Sequence, residues 1–170
     1  RLGCVLLLAL GLLAGAFLSP GAVMAQGAAP DISAPLAQLT TDKYDDTESA
    51  LGAFAVSGSP AAAGIVAALA DGRLSFSPAT KQVLIKPPQG GLVDAATGRP
   101  VAEVPPGAKA VRVNNRIRRA IEAASGTLAL VNPDPAKRLE AASAVMRARD
   151  EAALPALDAA LAKETDAKVK

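Results

Sequence analysis

Apolar residues in this chain change rhythm twice. From Asp42 to Gly72 they recur at helical spacing, from Arg73 to Val113 they fall in short runs between turn residues, and from Asn114 the helical spacing returns. In the first block, acidic Asp45, Asp46 and Glu48 precede Ala50, Leu51 and Phe54. This predicts a helix over 42–57 with its acids at the favourable end of the dipole. Ser59-Pro60 then supplies a cap and a first-turn proline for a second helix. Ala62, Ile65, Ala68 and Leu69 share one face of it, and Gly72 ends it.

In the last block, Asn114 or Asn115 caps a helix with Ile117, Ile121, Ala124 and Leu128 on one face, ending at Asn132-Pro133. Asp134-Pro135 caps the next, whose Leu139, Ala142, Val145 and Met146 are expected to face inward. Asp150 starts a partner helix carrying Leu154, Leu157 and Leu161, in which Pro155 fits because it falls in the first turn.

The middle block reads as β structure. Leu74-Ser75-Phe76 and Val83-Leu84-Ile85, joined across Pro78-Ala79-Thr80-Lys81, predict a β-hairpin. A second strand pair is drawn from Leu92-Val93, Val101-Ala102 and Val111-Arg112-Val113. The prolines between these runs keep the strands short and toward edges.

Two self-similarities lie over this pattern. Asp134-Pro135-Ala136-Lys137-Arg138 returns in outline as Asp166-Ala167-Lys168-Val169-Lys170, a period of 166 − 134 = 32 residues. Glu48, Ala50, Ile65, Ala68 and Leu69 match Glu140, Ala142, Leu157, Ala160 and Leu161 at an offset of 140 − 48 = 92. Both suggest helical hairpins that must stack on neighbours to bury their apolar faces. The expected fold is therefore mainly α, a HEAT-like helical-repeat (α-solenoid) module over 36–170 with a small β-hairpin insertion at 73–113. A further repeat opens at Asp166, so the sequence reads as the front part of something longer.

The beginning of the chain adds a compartment. An apolar run from Cys4 to Leu18 gives way to Ser19-Pro20-Gly21 and then Ala22-Val23-Met24-Ala25, which predicts a secretory signal peptide over 1–25 cleaved after Ala25. The run is shorter than the roughly 20 residues of a membrane span. Cys4 stands at its start, where a lipoprotein signal does not place its cysteine. Residues 26–35 mix Ala, Gly and Pro and read as a linker.

Composition narrows the chemistry. Without Arg1 the mature region keeps 17 of the 18 Lys and Arg against 16 Asp and Glu, so no net charge draws it to nucleic acid. Tyr44, Phe54 and Phe76 are its only aromatics, too few for stacking bases. The sequence contains no His, which removes the commonest general base and metal ligand. Gly90-Gly91 and Gly98 are turn residues outside any phosphate-binding loop, and the acidic cluster Asp45-Asp46-Glu48 lacks the spacing of a calcium loop. No catalytic residue, cofactor or metal is expected.

One constellation stands out: Arg112, Arg116, Arg118 and Arg119, at and before the first turns of a helix, where cations oppose the dipole. Two readings are open, an internal network with Asp94, Glu103 or Glu122, and a partner-binding face.

Val111-Arg112-Val113-Asn114-Asn115-Arg116-Ile117-Arg118-Arg119-Ala120 and Asn132-Pro133-Asp134-Pro135-Ala136-Lys137-Arg138-Leu139-Glu140-Ala141-Ala142 resemble the exported N-terminal region of the permease subunit of urea-type ABC importers, a branch of the branched-chain amino-acid transporter family. Asp71-Gly72-Arg73-Leu74, Asp94-Ala95-Ala96-Thr97-Gly98 and Lys163 to Val169 are similar to it as well. The resemblance implies a module on the periplasmic side of the bacterial inner membrane, followed by membrane helices absent from these 170 residues. It also implies a periplasmic urea-binding protein, a second permease subunit and cytoplasmic ATPases as partners. Asp134 and Arg138 resemble the repeat's Asp and Arg positions, where Asp caps a helix and Arg bonds to a neighbouring repeat. Asn114 and Asp166 are expected as further capping residues. The function this implies is a scaffold or docking surface in ATP-driven urea import. An independent exported helical-repeat scaffold and an exported hydrolase are the alternatives.

Overall fold

The computed structural model describes residues 31–149 and 151–170. The expected signal peptide and residues 26–30 of the expected linker lie outside that range. Within it the chain is mainly helical, with six α-helices and one small antiparallel sheet.

The helices are α1 (Ser33–Leu39), α2 (Tyr44–Val56), α3 (Pro60–Ala70), α4 (Asn115–Ala129), α5 (Pro135–Ala148) and α6 (Leu154–Lys163). A single 3-10 turn at Glu151–Ala153 leads into α6. Three helices begin as their local residues dictate. The Ser59 hydroxyl accepts from the Ala61 N–H, the Asn114 side chain from the Ile117 N–H, and Asp134 from the Ala136 N–H. Pro60, Pro135 and Pro155 all sit in first turns, where no helical hydrogen bond is lost.

Helix α1 was not expected. It begins inside the linker read over 26–35, with Ile32, Pro35, Leu36 and Leu39 buried, and packs on α2. Its apolar residues are few, yet α2 offers them a face to cover, and tertiary burial decides the conformation.

The sheet also exceeds expectation. Strands β1 (Leu74–Phe76) and β2 (Val83–Ile85) form the predicted hairpin, with Phe76 opposite Val83. Strands β3 (Val93–Asp94) and β4 (Lys109–Ala110) flank them in the order β3-β2-β1-β4, so the insertion is a four-stranded sheet. Val101 and Val111 lie outside the strands, and β1 and β2 take the centre in spite of the surrounding prolines.

The core gathers Phe54, Ile65 and Leu69 from α2 and α3, Leu74 and Phe76 from β1, and Ile117 and Ile121 from α4. Each fully buried side chain of this size contributes roughly 1.5–3 kcal/mol. Helix α4 packs on both α2 and α3, as its predicted face requires. Helices α5 and α6 pack on each other, and α5 touches α4. The expected inward face of α5 is not covered: Leu139 is 42% exposed and Met146 72%, while Ala142 and Val145 are half-buried. The periodicity was right for a helix, but no element among the described residues lies over that side. Stacked helices are therefore present, and a repeating solenoid is not established by them.

Candidate functional site

The arginine cluster resolves into a ladder of ion pairs between the β4–α4 segment and the α1–α2 corner. Asp42 occupies the left-handed region (φ 62°) in the turn between α1 and α2. Its carboxylate accepts from Lys109 Nζ at 2.5 Å and Arg112 Nε at 2.8 Å. The Arg112 guanidinium also lies 4.8 Å from the centre of the Tyr44 ring, and the Lys109 ammonium 5.3 Å from that of Phe76. In the first turn of α4, Arg116 reaches Asp45 Oδ1 at 2.7 Å and also bonds Glu48 on α2.

The hydrogen bond from Lys109, reinforced by that from Arg112, lowers the Asp42 pKa below its ordinary value. The same pairing raises Arg112 through Asp42, and Arg116 through Glu48 and Asp45. The adverse position of these arginines at a helix start is thus offset internally. The acids are Asp42, Asp45 and Glu48, in place of the expected Asp94, Glu103 and Glu122. Asp94 instead accepts from the backbone of Ala96 and Thr97 in its own turn. Arg118 and Arg119 are exposed and make no salt bridge among the described residues, so the structure splits the four arginines into two paired and two outward. Asp42 was missed by sequence reasoning because it is distant in sequence from both its partners.

A second constellation joins α5 to the end of α6. Arg138 donates to Glu164 through Nε and Nη2 at 2.7 and 2.8 Å, and through Nη1 to the Asn132 carbonyl at 2.8 Å. This planar, two-pronged contact uses the fork that distinguishes Arg from Lys. The Glu164 side chain is only 6% exposed, and it also accepts from the N–H groups of Thr165 and Asp166. The Arg138 hydrogen bond, followed by that from Asp166, pulls its pKa from 4.5 to about 2. Here Asp134 caps α5, Asp166 accepts the Lys168 N–H within a turn after which no helix is assigned among the described residues, and Arg138 bonds across to α6's end.

Glu164 was not singled out from the sequence, although the 32-residue period points to it. The Asp134 N–H donates to Asn132 Oδ1, and 32 residues later the Asp166 N–H donates to Glu164 Oε1. Asp134 Oδ1 accepts from the Ala136 N–H, and Asp166 Oδ1 from the Lys168 N–H. The Arg138 N–H donates to the Asp134 carbonyl, and the Lys170 N–H to the Asp166 carbonyl. Three successive hydrogen bonds recur at one period.

Between α2, α4 and α6 runs an open groove of about 630 Å³, walled by small side chains such as Gly52, Ala55, Ala120, Ala124, Ala156 and Ala159. Among the described residues no group of three or more His, Cys, Asp or Glu is placed to hold a metal ion. No described helix is long and apolar enough to cross a membrane. No family model matches the chain, and no curated protein or solved structure matches it either.

Proposed function

We propose that this chain is the exported helical-repeat module of a urea-type ABC permease, acting as a scaffold or docking surface in ATP-driven urea import. The observation that carries the reading is recurrence. A capping motif returns after 32 residues with its hydrogen bonds intact, and a helical hairpin returns after 92. HEAT-like stacks of such hairpins expose extended surfaces suited to holding partners. Urea, the membrane helices, the second permease subunit, the ATPases and the periplasmic binding protein enter through the sequence resemblance of Val111–Ala120 and Asn132–Ala142.

The test is made in cells carrying the complete gene. Replacing residues 36–170 by a short linker should abolish uptake of labelled urea at limiting concentration while the rest of the permease still inserts in the membrane. A phosphatase active only outside the cytoplasm, fused after Lys170, should be active. Undiminished uptake rejects the scaffold role, and a complete gene without membrane helices points to an independent exported repeat protein.

A further inference from the structure

The groove between α2, α4 and α6 has matching walls. Gly52 and Ala55 of α2 line one side and Ala156, Ala159 and Ala160 of α6 the other, while Val56 and Val131, also on its walls, are 80% and 49% exposed. Its roughly 630 Å³ is far more space than packed helices leave between them. Side chains this small let helix axes approach to about 8 Å. The two ends of the groove also differ in charge. Arg116 beside Glu48 marks one end, and the opposite end of α6 shares a neighbouring cavity with Val131 through Ala160 and Lys163. Pro155, in the first turn of α6, therefore lies toward Glu48. That helix start has no side-chain cap, and a carboxylate brought to it is stabilising.

The connection to α5 and α6 is built as a pivot. Helix α4 runs out in tight turns, in which the Val131 N–H donates to the Leu128 carbonyl and the Asn132 N–H to the Ala129 carbonyl, each at 3.3 Å. Beyond them Arg138 donates to the carbonyls of Asn132 and Pro133 and to Glu164, which ties the α5–α6 hairpin and its leading residues into one body. We propose that this body swings about Val131–Asn132 and closes the groove, laying Ala156, Ala159 and Ala160 against Gly52 and Ala55. Closure covers Val56 and Val131 and sets the Glu48 carboxylate at the uncapped start of α6. The device concerns this chain alone and is independent of the transporter reading.

The test uses the 170-residue protein with Cys4→Ser as background. Ala55→Cys with Ala159→Cys puts a thiol on each wall, and a disulfide forms only when their Cα atoms come within about 7 Å. Ala55→Cys with Met146→Cys, exposed and away from the groove, is the reference pair. Under mild oxidation the wall pair should cross-link within one molecule at least about tenfold faster than the reference pair, at a rate unchanged by dilution. Ala156→Phe, a wedge in the groove, should slow the wall pair about tenfold. Glu48→Gln should slow it about twofold to fivefold relative to the reference pair, the share expected of a charge at a helix start. Equal rates for the two pairs overturn the proposal, because the hairpin then comes loose without closing. So does a wall pair that stays reduced, that is indifferent to Ala156→Phe, or that bonds only between molecules. Full speed in Glu48→Gln overturns the part given to Glu48.

Discussion

The hairpins α2–α3 and α5–α6 share one local design and differ in what surrounds them. Moving Tyr44–Val56 and Pro60–Ala70 forward by 92 gives 136–148 and 152–162, beside the observed Pro135–Ala148 and Leu154–Lys163. Helix lengths and the spacing of the turn agree within two residues. Burial does not: Phe54 and Leu69 are at most 1% exposed, whereas Met146 and Leu161 are 72% and 46% exposed. The first hairpin has α1 on one side and α4 across both its helices, while α5 and α6 rely on each other and on a limited contact with α4. Caps and periodicity make a hairpin; neighbours make it stable.

The sharpest way to break this comparison is truncation at paired positions in the 170-residue protein. Phe54→Ala should lower unfolding free energy in denaturant by about 3–5 kcal/mol, because it opens a cavity in a filled core. Met146→Ala should stay within about 0.5 kcal/mol of the parent. Leu69→Ala and Leu161→Ala should repeat the contrast, at about 2–5 against about 1 kcal/mol. Equal losses within either pair would mean that the second hairpin is covered after all.

Caps come next in size. Asn114→Ala and Asp134→Ala each remove a side chain that accepts a helix N–H, worth about 1 kcal/mol. The Asn114 change should shift the global unfolding midpoint, since α4 lies at the centre of the core. The Asp134 change should appear chiefly as faster amide exchange in α5. Identical exchange patterns for both variants would contradict separate stabilities for the two hairpins.

Acid sharpens the same contrast without mutation. Glu164 is held charged in the folded protein, so its stabilising pairing with Arg138 is fully present above its ordinary pKa of 4.5 and is lost as pH falls through about 2. Amide exchange in α5 and α6 should rise across that window before exchange in α2 and α3 does, and Glu164→Gln should flatten the dependence. A window unchanged by Glu164→Gln would assign the acid response to other carboxylates. The smallest effects belong to the arginines. Arg116→Glu, facing Asp45 and Glu48, should lower the midpoint, less so in high salt, while Arg119→Glu should change stability by under about 0.5 kcal/mol. A greater loss from Arg119→Glu would reverse their assigned places.

What could be read from the sequence divides along physical lines. Ser59, Asn114 and Asp134 bond within three residues of themselves, so their helices were legible, as was the alternation of Leu74–Phe76 and Val83–Ile85. Helix α1 spans seven residues, too few to display a period, and β3 and β4 have two residues each. The partners of Lys109, Arg112 and Arg116 lie 67 to 71 residues away, where charge alone cannot choose among acids. The orientation of α5 failed for a related reason: a periodic stripe tells which side is apolar, and only a neighbour makes that side the interior.

The pairing of β1 with β4 bears on how this chain can change length. Ser75 faces Ala110 across the sheet, so the segment that leaves α3 and the segment that returns to α4 are zipped together, and the residues between them hang from a closed stem. Gly90 and Gly91, at the exposed far turn with φ of 91° and 83°, are remote in the chain from both ends of that stem. Doubling a loop costs only about 0.6 kcal/mol in closure entropy. A reporter or a guest domain spliced between these two glycines would thus be carried as cargo while α3 and α4 keep their mutual packing.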